Sequence, residues 1–145
     1  MPSDHWVGTS VNVNPMPDIR DVTTHVGVSL AKAVRWATAQ DPADRCPTAA
    51  DLDAALAGLP PTVTEISRVQ VHASHERCWK AVRGADQHTF DICVMPPWVP
   101  GDKTRAVRVS HRSSGHAVKA LCGQPQGETA VLVHLRKAFD NLRTC

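Results

Sequence analysis

The apolar residues of this chain change their period at Pro60-Pro61, and no other feature constrains the fold as much. Before the pair, apolar residues recur at three- and four-residue spacing; after it they alternate, and near the C-terminus the helical spacing returns. Two prolines in a row can neither continue a helix nor pair inside a sheet, so the helical and extended parts are held apart. Charge follows the same division. Residues 1–60 carry four Lys/Arg against seven Asp/Glu, whereas residues 61–145 carry twelve against seven, with six of the eight His. With 145 residues and 42% apolar content the chain can bury an ordinary core. The expected class is α+β: a short helical N-terminal module, residues 1–60, then a small antiparallel sheet packed by a C-terminal amphipathic helix, residues 61–145.

Within the first module, residues 10–24 contain Pro15 and Pro17 and read as an extended connector. Leu30, Ala33, Val34 and Ala37 predict a helix over 28–39, with Ser29 as its N-cap and Pro42 as its limit. A second helix is expected after Thr48, whose hydroxyl and the Asp51 carboxylate resemble a capping box. Leu52, Ala55 and Leu56 share its apolar face, and Gly58 suits a left-handed C-terminal cap.

In the second module, residues 68–72 alternate cleanly within a Thr/Val-rich run, as a half-buried strand does. Further strands are expected over 78–82, 89–95, 105–110 and 116–121, separated by turns at 83–86, 96–102 and 113–115. Val131, Leu132, Leu135, Ala138, Phe139 and Leu142 then mark a helix with Arg136, Lys137, Asp140 and Arg143 on its polar side.

The order of features over residues 10–58 resembles the end of the catalytic lobe of bacterial, actinobacterial-type serine/threonine protein kinases of the eukaryotic kind. The residues that carry the resemblance are Pro17-Asp18-Ile19-Arg20, Val26-Gly27-Val28-Ser29-Leu30, Asp41-Pro42-Ala43-Asp44-Arg45 and Thr48-Ala49-Ala50-Asp51-Leu52. The resemblance implies that Arg45 occupies the family's structural arginine position, whose buried Glu partner the chain lacks. Residues 61–145 would then be an accessory domain. No Gly-rich phosphate loop, strand Lys, His-Arg-Asp or Asp-Phe-Gly is present, so the chain is not expected to be an enzyme as it stands. The expectation is a non-catalytic fragment, with Met1 not the true start, or a degenerate relative of such a kinase. Its second domain would bind a regulatory protein partner, a kinase or a kinase substrate, without a cofactor.

No run of apolar residues is long enough to span a membrane, and the N-terminus lacks the basic and apolar regions of a signal peptide. A cytoplasmic chain with thiol cysteines is therefore expected. The mild basic excess does not predict a nucleic-acid partner.

Four groups of residues invite chemistry. His72, His75 and Cys78 carry zinc-ligand side chains at an uncommon spacing, and a fourth ligand would come from Cys93, Cys122, His111 or His116. Against this, Cys78, Cys93 and Cys122 are expected within strands, where cysteine serves as a small buried hydrophobe. No cysteine has a nucleophile signature, and Ser113-Ser114-Gly115-His116 reads as a hairpin turn. Trp98, in Pro96-Pro97-Trp98-Val99-Pro100, either presents its indole to a partner or folds back over the sheet edge. Lys103, Arg105, Arg108 and Arg112, with Lys80 and Arg83, form a candidate basic face for an acidic or phosphorylated partner, or a solvated outer sheet face.

Overall fold

Alternation in the second half of the chain becomes a four-stranded antiparallel sheet in the computed structural model, which describes residues 17–59, 64–84 and 86–144. The strands are β1 (Thr64–Val69), β2 (Arg77–Arg83), β3 (Thr89–Met95) and β4 (Ala106–His111), each paired with the next in order. The Pro60-Pro61 break, Val63, Ala85 of the expected 83–86 turn, Cys145 and residues 10–16 of the connector lie outside the described residues.

Side chains alternate between two faces, and the inward set is apolar: Ile66, Trp79, Ala81, Phe90, Ile92, Val94, Val107 and Val109. The helices are α1 (Ile19–Val22), α2 (Val28–Ala37), α3 (Ala49–Ala57) and α4 (Glu128–Thr144). Helix α4 lays Val131, Leu135, Ala138, Phe139 and Leu142 onto the inward face, all of them buried. The Phe139 ring meets Trp79 edge-on at 5.4 Å between centroids. Each such large apolar side chain stabilises the fold by about 1.5–3 kcal/mol. At the far end of α4, the buried Thr64 hydroxyl donates to the Leu142 carbonyl at 2.7 Å.

Helix α1 and the residues that follow it dock on α4 by charge. Arg20 Nη2 donates to both oxygens of Asp140, at 3.1 and 3.0 Å, Arg136 pairs with Asp21, and Arg143 donates to the His25 carbonyl. Helix α3 opens as expected: Thr48 Oγ1 accepts from the Asp51 amide at 3.1 Å and donates to the Asp51 carboxylate at 2.7 Å. Arg45 closes the connection between α2 and α3 by donating to the carbonyls of Ala39 and Gln40, so its guanidinium is spent within its own turn.

Six local expectations are corrected. The first strand is Thr64–Val69, so residues 70–72 of the expected 68–72 strand lie beyond it in the β1–β2 loop, where Val71 is exposed. The N-cap of α2 is Gly27, in extended conformation and without a side chain to cap; Ser29 falls inside the first turn. Gly58 ends α3 with φ −79°, right-handed rather than left-handed, because its amide still bonds back to Ala54. Residues 19–22 of the connector form a helical turn, since Asp18 accepts from the Arg20 amide. Residues 116–121 do not form a strand. Ala117 makes one bridge to Ser110, and the chain then coils through Lys119–Leu121 before Gly123 pairs with Val107. That detour turns Val118 and Leu121 toward the core. It also takes Cys122 out of any strand, so its Sγ bonds the carbonyls of Val109 and Val118.

Candidate metal centre

On the outward face of the sheet, Cys78 and Cys93 are buried beneath His72 and His75 of the β1–β2 loop. Register explains why the two sulfurs meet. The Arg83 amide donates to the His88 carbonyl at the closed end of the β2–β3 hairpin, and Arg83 and His88 sum to the same register as every pair below them. Hydrogen-bonded and non-hydrogen-bonded pairs alternate along an antiparallel ladder. Counting down from Arg83, the Cys78–Cys93 pair falls at a non-hydrogen-bonded position, where facing side chains stand closest.

The two histidines arrive from a tight turn. The His75 amide donates to the His72 carbonyl at 3.1 Å, and Ser74, third residue of that turn, holds φ +69°. A positive φ at that position is what a type II turn demands, and glycine is its usual occupant. His72 and His75 therefore stand at the two ends of one turn, with ring centroids 5.4 Å apart, and both rings lean over the cysteine pair.

The donor atoms converge. His72 Nδ1 lies 3.6 Å from Cys78 Sγ and 3.5 Å from Cys93 Sγ, and His75 Nδ1 lies 3.5 Å from Cys78 Sγ. One ligand atom from each of the four residues fits within 4.8 Å of the others. Zinc–sulfur and zinc–nitrogen bonds at tetrahedral angles put a nitrogen and a sulfur ~3.5 Å apart. The three measured separations match that edge. Of the four possible fourth ligands, Cys93 is the one brought to the site. His111 packs its ring on Phe90 at 4.8 Å, and His116 lies in the turn after β4, its amide donating to Ser114 Oγ at 3.3 Å.

Burial, and then the neighbouring Cys78 thiol, pushes the Cys93 thiol up to about 12, so in the metal-free chain this sulfur keeps its proton. A cation would displace it, as thiolate ligation requires. Asp91, two residues before Cys93 on the same strand face, shares a cleft of about 150 Å³ with His72, His75, Cys93 and Arg108. Its Oδ1 is buried and accepts no hydrogen bond among the described residues, which suits a carboxylate serving the outer nitrogen of a ligating imidazole.

The remaining predicted residues are distributed around this centre. Trp98 is 91% exposed, so its indole faces outward rather than lidding the core. Arg105 pairs with Glu76 at 2.8 Å, Arg112 stands 3.8 Å from Asp91, and Arg83 pairs with Asp86. Arg108 lines the cleft and donates to the Gly115 carbonyl at 3.2 Å. Lys103 is exposed beside the Trp98 loop. The basic face is thus largely engaged in local pairs. The β1–β2 loop and the β3–β4 loop emerge from the same end of the sheet, so the His/Cys cluster and Trp98 share that end.

Among the described residues no helix is long and apolar enough to cross a membrane. No protein-family model, no curated protein and no solved structure matches this chain.

Proposed function

We propose that residues 64–144 form a small zinc-binding domain in which His72, His75, Cys78 and Cys93 hold one metal ion. The convergence of four ligand atoms within 4.8 Å carries this reading. Two sulfurs and two imidazole nitrogens favour zinc over magnesium or calcium, which prefer oxygen. Four protein ligands fill a tetrahedral shell, so the centre would be structural rather than catalytic.

Its work would be to clamp the β1–β2 loop onto the outer face of the sheet. Glu76 and Arg105 would pass that order to the loop that presents Trp98, the natural anchor for a protein partner. This reading neither uses nor needs the kinase resemblance of residues 10–58. The test is elemental analysis of the full chain purified without a histidine tag. Near-stoichiometric zinc, lost in the Cys78→Ser and Cys93→Ser variants while circular dichroism shows the sheet retained, is the expected result. Wild-type protein that stays zinc-free after incubation with zinc and gel filtration would overturn it.

A further inference from the structure

We propose that Cys78 and Cys93 are an oxidant-sensitive pair: a peroxide converts them to a cross-strand disulfide and the metal is released. This rests on the metal-binding reading above. Two observations carry it independently of one another.

Pairing comes first. Cys78 and Cys93 face each other at a non-hydrogen-bonded position, where Cα atoms stand about 4.5 Å apart, inside the range that a disulfide spans. The sheet could therefore accept the bond with its register kept. Access is the second. Cys93 lines the cleft of about 150 Å³, a space of several water volumes, whereas Cys78 is fully buried behind it. A small peroxide can reach one sulfur and not the other, which divides the roles into attacked and resolving cysteine.

The chemistry balances with hydrogen peroxide as the named oxidant. The Cys93 thiolate attacks one peroxide oxygen, the O–O bond breaks, and hydroxide departs, leaving a sulfenic acid on Cys93. The Cys78 thiolate then attacks that sulfur, the S–O bond breaks, and a second hydroxide departs. Two protons from solvent convert both hydroxides to water. Two electrons pass from the sulfurs to peroxide, and zinc does not change oxidation state. It loses two anionic ligands, and the two neutral imidazoles that remain are a weak site.

The experiment uses the full wild-type chain loaded with zinc. Zinc content is measured before any oxidant is added, and that value alone decides the metal-binding reading. Hydrogen peroxide is then titrated while a zinc-chelating dye reports release, and the product is mapped by peptide mass spectrometry. The expected result is one zinc released per Cys78–Cys93 disulfide, a mass loss of two hydrogens, and recovery of zinc binding after thiol reduction. Zinc retained under peroxide, zinc lost with Cys93 found as sulfinic acid, or a disulfide that maps to Cys46, Cys122 or Cys145 would each overturn the proposal. A chain that holds no zinc at the outset overturns it together with the reading on which it rests.

Discussion

Arg105 donates to Glu76 at 2.8 Å, and this ion pair joins the loop bearing His72 and His75 to the loop bearing Trp98. Glu76 is held from its other side as well, because its amide bonds the Val94 carbonyl at the end of β3. Next along the chain, Arg77 forks onto Glu128 at the start of α4, at 2.7 and 3.0 Å. The candidate centre is therefore braced by two carboxylates from outside its ligand set.

Removing that brace would loosen the ligand loop without touching a ligand. The Arg105→Ala variant is expected to bind zinc about tenfold more weakly, at the low end of what outer-shell substitutions cost. Competition against a chelating dye measures it. Affinity equal to wild type would show that the loop is ordered by the turn alone.

Ser74 gives a prediction of opposite sign. Its φ of +69° is costly for a residue with a Cβ and nearly free for glycine. Ser74→Gly should retain zinc binding and melt no lower than wild type, whereas Ser74→Val should weaken both, with strain of about 1–3 kcal/mol at this position. Calorimetry with and without zinc separates the two effects.

Acid and alkali should act through different residues in the metal-free chain. Burial, followed by the charges of Arg143 and Arg68, holds His25 below its ordinary value of 6.5. The unfolded chain therefore takes up this proton first, so the stability His25 contributes at neutral pH is lost as pH falls through 6.5. The Cys93 thiol is displaced the other way, from 9.0 to about 12, so the unfolded chain gives up its proton first and the fold weakens as pH rises past 9.0. Melting temperature against pH should fall on both sides of neutrality, with His25→Gln flattening the acid limb and Cys93→Ser the alkaline one.

The core prediction is the simplest. Phe139 is fully buried at the centre of α4 against Trp79. Phe139→Ala should destabilise the domain by about 3–5 kcal/mol, read by urea titration with an unchanged slope.

Much of this architecture was legible because its signals are local. The alternation of residues 89–95 gave β3 to the residue, and the spacing from Val131 to Leu142 gave the buried stripe of α4. Residues 116–121 failed because alternation cannot distinguish a strand from a coil that turns two apolar residues inward at different heights. The ligand set was half legible. His72, His75 and Cys78 stood close in sequence, but Cys93 was one of four possible partners. Its selection depends on hairpin register, fixed at Arg83 and His88, a long-range quantity that composition and spacing do not carry. Strand burial and ligation are not rivals for Cys78 and Cys93, because a sulfur can be buried in a strand and still face a histidine from the loop above it.

All four donor residues fall within a single hairpin and the loop that leads into it, between His72 and Cys93. On an emerging polypeptide this set is complete before β4 or α4 has been synthesised. Ion capture could then precede burial of the core and fix the β2–β3 register while later segments are still being added. The cluster would thus serve as a template during assembly as well as a clasp in the finished molecule.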